Sequence, residues 1–134
     1  MGQKIFLNGA MVEAEQAMVS ANDSGLLYGV GLFETMRAKN GAVFAIDEHI
    51  ERLTTSATVL GIPCTYEAAY IAEAVQRVLH VNELAEARIR LTLTSGTMVQ
   101  GDGQTRPTII ISAGPLETYP AESYEKGVTV TLCS

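Results

Sequence analysis

Leu32-Phe33-Glu34-Thr35-Met36-Arg37-Ala38-Lys39-Asn40-Gly41 is the stretch that decides the fold. Read at a period of two, it places Phe33, Thr35 and Arg37 on one face of a strand and Leu32, Glu34 and Met36 on the other. Asn40-Gly41 supplies two residues that tolerate positive φ, as a two-residue hairpin turn requires, and Ala42 to Ile46 reads as the return strand. The same chemistry stands at Asn8-Gly9, between Lys4-Ile5-Phe6-Leu7 and Ala10-Met11-Val12, and predicts an opening hairpin. Residues 20–31 are rich in Ser, Asn, Asp and Gly and read as an ordered loop leading into the strand.

Downstream the period becomes helical. Asp47 is expected to open a helix as its N-cap, with Ile50, Leu53, Ala57 and Leu60 on the inner face and Gly61 and Pro63 closing it. Thr65 is expected to cap a second helix that buries Ala68, Ile71, Ala72, Val75 and Leu79. Arg88 to Thr94 returns to alternation, with Arg88, Arg90, Thr92 and Thr94 opposite Ile89, Leu91 and Leu93. Gly96 to Pro107 reads as a connection, Thr108 to Ser112 as a central strand, Pro115 to Gly127 as a link, and Val128 to Leu132 as a further strand. No turn chemistry follows that strand before Ser134, so residues 1–134 are expected to be the front part of a longer protein. The order ββ-ββ-αα-βββ specifies an α+β two-layer sandwich, a mostly antiparallel sheet with two helices on one face.

The 134 residues, 47% of them apolar, suffice for one core. No apolar run approaches the ~20 residues that span a bilayer. Met1-Gly2-Gln3-Lys4 passes directly into a strand-like segment, so no leader and a cytoplasmic setting are expected. A net charge of −6 counts against nucleic acid and anionic membrane as partners, yet leaves room for a small anion at a local positive site. Cys64 and Cys133 lie far apart, are expected to be reduced thiols, and share no metal-ligand spacing with histidine. Ser24, Ser56 and Ser95 have no histidine or acid at a nucleophile–base spacing.

The candidate binding residues are cationic and aromatic. Arg52 shares one side of the first helix with His49 and Ser56, and its planar fork suits a phosphate; the other reading is an ion pair with Glu48 or a neighbouring acid. Tyr28-Gly29-Val30-Gly31 lets backbone turn tightly beside a ligand, or is a plain glycine-rich turn; no strand precedes it, so it is not a dinucleotide fingerprint. Tyr28 and Phe33 line a pocket or are core aromatics. Arg88 and Arg90 share a strand face, either to bind a substrate carboxylate or as part of a solvated edge strand.

The string Ser24-Gly25-Leu26-Leu27-Tyr28-Gly29-Val30-Gly31-Leu32-Phe33-Glu34-Thr35-Met36-Arg37, the Gly41 turn and His49-x-x-Arg52-Leu53 resemble the class IV (fold-type IV) pyridoxal-phosphate enzymes, which comprise aminotransferases and 4-amino-4-deoxychorismate lyases. Ala87-Arg88-Ile89-Arg90-Leu91-Thr92-Leu93-Thr94-Ser95-Gly96 extends the resemblance. It implies the small N-terminal domain of that fold, pyridoxal 5'-phosphate as cofactor, a small anionic amino substrate and a homodimer. It also implies that Arg52 holds the cofactor phosphate and that Tyr28, Phe33 and Arg90 border the substrate side. The family's Schiff-base lysine and the acid at the pyridine nitrogen belong to a C-terminal domain. Lys4, Lys39 and Lys126 do not match that lysine's context, so no catalytic residue is assigned and residues 1–134 alone are expected to be inactive. The Leu-Tyr-Gly-x-Gly-x-Phe-Glu-Thr form and Ala-Arg-Ile-Arg-Leu look most like the lyases, which release pyruvate from aminodeoxychorismate to leave p-aminobenzoate for folate biosynthesis. Thr35 stands where branched-chain enzymes favour glycine, and Ser95 where D-amino acid enzymes carry arginine. The alternatives are a branched-chain or D-amino acid aminotransferase, or a non-catalytic binding or dimerisation module of the same fold.

Overall fold

A computed structural model describes residues 2–98 and 105–133. Its strands are β1 (Lys4–Leu7), β2 (Ala10–Glu13), β3 (Gly31–Lys39), β4 (Ala42–Val43), β5 (Ala87–Met98) and β6 (Thr105–Pro115). Its helices are α1 (Ser24–Tyr28), α2 (Ile46–Val59), α3 (Ala68–Val81) and α4 (Ala121–Lys126). The strands form one antiparallel sheet in the order β2-β1-β6-β5-β3-β4. The α+β sandwich expected from the sequence is therefore the architecture, and α2 and α3 cover one face of the sheet.

Alternation decides which face. Phe6, Met36, Ala38, Ile89, Leu91, Leu93, Ile109 and Ile111 point into the core, where they meet Ile50, Leu53 and Ala57 of α2 and Ile71, Ala74, Val75, Val78 and Leu79 of α3. Burying the Phe, Met, Leu, Ile and Val side chains among these stabilises by about 1.5–3 kcal/mol each before the entropy of ordering is set against it. Both Asn-Gly turns form with their asparagines left-handed, Asn8 at φ 49° and Asn40 at φ 52°. Asn8 also carries the sheet onward, its side-chain oxygen accepting from the Ile109 amide at 2.9 Å.

Several expected boundaries move. Residues 24–28 of the supposed loop form α1, because the Asp23 carboxylate caps the Gly25 amide and Gly29, at φ 70°, ends the turn in a conformation that a Cβ disfavours. The return strand from Ala42 stops at Val43. Asp47 is not the N-cap of α2: Ala45 turns left-handed and its carbonyl accepts from the His49 amide at 3.1 Å, so Asp47 and Glu48 sit within the first turn, where the helix dipole favours them. Leu60 is the C-cap of α2 and exposed, while Ile62, beyond Gly61, fills the core instead. Thr65 does not cap α3. Glu67 occupies that position without a side-chain bond, and Tyr66 stacks on Tyr70 with ring centroids 5.5 Å apart across the helix entry. The buried stripe of α3 takes Ala74 and Val78; Ala68 is exposed and Ala72 half-buried.

The connection expected from Gly96 to Pro107 is largely strand: β5 continues to Met98 and β6 starts at Thr105, and residues 99–104 lie outside the described residues. The link after Pro115 contains α4, with Pro120 at its N-cap. Val128 to Leu132 is not a strand, since no neighbour among the described residues pairs with it, and Val128, Val130 and Leu132 are exposed. Ser134, where that strand was expected to run out, lies outside the described residues. No helix among the described residues is long and apolar enough to cross a membrane.

Candidate functional site

The candidate site is organised by β3. On its inner side β3 pairs with β5 from Gly31 to Ala38, but β4 covers only Ala38 and Lys39 on the other side. Between Gly31 and Thr35 the outer edge of β3 therefore has no strand beside it among the described residues. Consecutive side chains point to opposite faces of the sheet, so ligand groups near this edge can be met from both faces.

The helix-side face carries an acid. Glu34 is 4% exposed among apolar neighbours, a position that an unpaired carboxylate does not occupy. Its partners come from α2, where His49 and Arg52, three residues apart, project from one side of the helix. The Arg52 Nε–H donates to one carboxylate oxygen at 2.8 Å and an Nη–H of Arg52 donates to the other. The His49 Nδ1 lies 2.7 Å from that second oxygen. A carboxylate can only accept, so Nδ1 carries the proton. The hydrogen bonds from Arg52 hold Glu34 below the ordinary glutamate range; burial works against them, and His49 adds to them. Arg52 is correspondingly pushed further into its charged form by Glu34. Its side chain remains 65% exposed, so the guanidinium is gripped on one edge and offers the other outward. The pairing with Glu48, kept open by the spacing, gives way to Glu34.

The opposite face carries the second group. The Arg90 guanidinium lies 3.8 Å from the centre of the Phe33 ring. Thr35 and Ser112 flank Arg90 on the neighbouring strands. β5 lies inside the sheet between β3 and β6, which removes the edge-strand reading of Arg88 and Arg90. A recess of about 350 Å³ lies over Thr35, Arg88, Arg90, Ser112 and Gly114, with Gln3 at its margin. Phe33 is 57% exposed and so is not a core aromatic. Tyr28, the last residue of α1, is 78% exposed and so is not a core aromatic, and it has no aromatic partner among the described residues.

A third anchor sets the height of α1. Asp23, 2% exposed, accepts from the Gly25 amide at 2.8 Å, from Thr94 at 3.0 Å and from Thr108 at 2.6 Å. Burial pushes its carboxyl up, but the hydroxyls of Thr108 and Thr94 and the amides of Gly25 and Leu26 together bring it below the ordinary range. Sequence spacing places His49 beside Arg52 but gives no sign of Asp23 or of Glu34 as the acid that joins them. The available signal was Glu34 itself, an acid in register with Leu32 and Met36 on a face that had to be buried.

The comparisons with known proteins bear on the family and the fold. Residues 31–134 match the family model of amino-transferase class IV. Over 132 residues the chain is 39% identical to the "Putative branched-chain-amino-acid aminotransferase" of Methanocaldococcus jannaschii, covering 96% of this chain and 46% of that protein. It is 34% identical over 133 residues to the aminodeoxychorismate lyase of Bacillus subtilis, with 96% and 45% covered. Among solved structures, the branched-chain amino acid aminotransferase of Escherichia coli superposes with a TM-score of 0.81 at 30% identity, covering 92% of this chain and 43% of that one. Another branched-chain amino acid aminotransferase, solved with pyridoxamine 5'-phosphate, superposes with a TM-score of 0.80 at 27% identity, with the same coverage. The chain thus spans about half the length of the relatives it matches.

Proposed function

This chain belongs to the amino-transferase class IV family, whose cofactor is pyridoxal 5'-phosphate, and from that premise we propose that it is the small domain of a lyase acting on an anionic amino substrate. The observation that carries the reading is the Glu34–His49–Arg52 cluster: a guanidinium fixed on its inner edge by a buried carboxylate and open on its outer edge. That arrangement fits a phosphate, which asks for a rigid, outward planar donor. Bound there, the cofactor supplies an electron sink. Arg52 binds the phosphate. Glu34 and His49 hold Arg52 in place without touching the ligand. Phe33 of β3 and Arg90 of the adjoining β5 border the substrate, Arg90 attracting its carboxylate and the Phe33 ring holding the guanidinium over it.

The lysine that holds the cofactor, and the acid at its ring nitrogen, belong in this reading to a C-terminal domain. Leu26, Leu27, Tyr28 and Val30, in and just after α1, are exposed apolar side chains, which suits contact with a partner subunit in a homodimer, with Tyr28 bordering the substrate side. Within the family, Thr35 after Phe33-Glu34 and the two arginines on the substrate face favour release of pyruvate from aminodeoxychorismate. The second reading, amino-group transfer from branched-chain amino acids, is favoured by the 39% identity to the archaeal relative.

Two measurements test this. The full-length protein should show the visible absorption of bound pyridoxal 5'-phosphate, and Arg52→Ala should weaken cofactor binding about 10- to 100-fold, the value of one charged hydrogen-bonded contact. Unchanged affinity in that variant removes Arg52 from the site. Pyruvate formation from aminodeoxychorismate, set against keto acid formation from leucine with 2-oxoglutarate, decides between lyase and aminotransferase.

A further inference from the structure

The substrate-side face of the sheet is graded. Cross-strand register gives three successive rows: Phe33, Thr92, Ile110 and Leu7; then Thr35, Arg90 and Ser112; then Arg37, Arg88 and Gly114. Successive rows are two residues apart, about 7 Å along the strands. The face therefore runs from apolar, through one cation flanked by hydroxyls, to a pair of cations directly opposite each other. Like charges facing each other across strands are destabilising unless something negative lies over them. Arg37 is partly answered by Glu86, at 3.7 Å on the surface. Arg88 has no acid within ion-pair distance among the described residues, and with Arg90 it lines the recess. Gly114, beside Arg88, leaves the space above it empty: a Cβ there would meet nothing within 4 Å.

We propose that Arg88 is a specificity-determining residue that reads a second acid group on the ligand, so that the site prefers dicarboxylates over monocarboxylates of the same length. The proposal rests on the reading of this face as the substrate side. Arg90, seated against the Phe33 ring and flanked by Thr35 and Ser112, takes the nearer carboxylate. Arg88, one row further from the apolar end, takes the farther one, and the missing side chain at Gly114 gives that group room.

The test uses the full-length protein loaded with pyridoxal 5'-phosphate and two unreactive probes, glutarate and pentanoate, with binding measured by calorimetry. The wild type should bind glutarate about 10- to 100-fold more tightly than pentanoate, the value of one charged contact. Arg88→Gln should abolish that ratio by weakening glutarate alone, while Arg88→Lys retains part of it. Gly114→Asp, which places an acid in the open space beside Arg88, should abolish the ratio without removing the arginine, and so keeps the test available if Arg88→Gln does not fold. An unchanged ratio in Arg88→Gln and Gly114→Asp, equal weakening of both probes, or no preference in the wild type overturns the proposal. Absence of the cofactor's visible band in the wild type would instead count against the functional reading, while the glutarate-to-pentanoate ratio still reports on Arg88.

Discussion

Glu34→Gln is the substitution that most directly probes the brace behind Arg52. The change keeps the volume and one acceptor but replaces the other oxygen with an amide that, like the Arg52 nitrogens around it, can only donate, and it removes the charge on the bond to His49. Arg52 adds little to the stability change, because its side chain is 65% exposed and solvent screens it. What remains is the charged bond to His49 at a residue 4% exposed, which at about 1.5–3 kcal/mol sets the expected loss at neutral pH. With a urea slope of about 2 kcal/mol per molar, the unfolding midpoint should fall by roughly 1 M. The loss should depend on pH in a defined direction. Glu34 is held below its ordinary value of 4.5, so its contribution is complete above that pH and drains away as pH falls through the lower folded-state value. Wild type and variant should therefore lie apart at pH 7 and converge in acid. In the full-length protein the same variant should lose cofactor affinity, but by less than Arg52→Ala, because the guanidinium is loosened and not removed. Coincident midpoints at pH 7, or a gap that stays constant from pH 7 to pH 3, would refute the reasoning.

Two further substitutions probe what holds the site in register. Asp23→Ala strips the acceptor from two threonine hydroxyls, one of them on the buried Thr108, and from the Gly25 amide in the first turn of α1, and should cost about 2–3 kcal/mol in urea unfolding; because Asp23 is also depressed, the variant should show a shallower loss of stability below pH 4 than wild type. Gly96→Ala places a Cβ 1.5 Å from the Arg106 carbonyl oxygen at a left-handed residue inside the register shift between Thr94 and Thr97. The conformation alone costs about 1–3 kcal/mol and the overlap adds to it, so thermal unfolding should shift down by several degrees, and an unchanged midpoint would mean that the bulge relaxes freely.

What the sequence disclosed was set by range. The two Asn-Gly turns and the alternation of β3 and β5 are local signals that no tertiary contact overrides, and both are found where expected. The helix starts differ from those expected because neither uses a side-chain cap: Ala45 is left-handed between β4 and α2, and Glu67, the N-cap of α3, makes no side-chain bond while Tyr66 stacks on Tyr70 across the entry. Val128 to Leu132 has strand-like composition, but a strand is made by its neighbour and the described residues provide none. At the site, Arg52 was visible as a candidate, while its partner lies 18 residues earlier on another element, beyond any spacing rule. The pair could be found only by asking what neutralises an acid on a buried face.

The partial edge of β3 explains why so short a motif carries so much of the site. With pairing on one side only between Gly31 and Thr35, both faces of the strand are reachable from the same end of the domain. Adjacent residues can then serve different ends of one ligand: Glu34, facing the helices, fixes the cation proposed for the phosphate, while Phe33 and Thr35, facing away, shape the proposed substrate floor with Arg90. The two functions are separated by a flat layer of peptide bonds rather than by distance along the chain. On this reading, changes on the outward face shift substrate choice and leave cofactor binding intact, and changes on the inward face do the reverse. That division would let one scaffold serve relatives as different as an aminotransferase and a lyase without rebuilding the anchor they share.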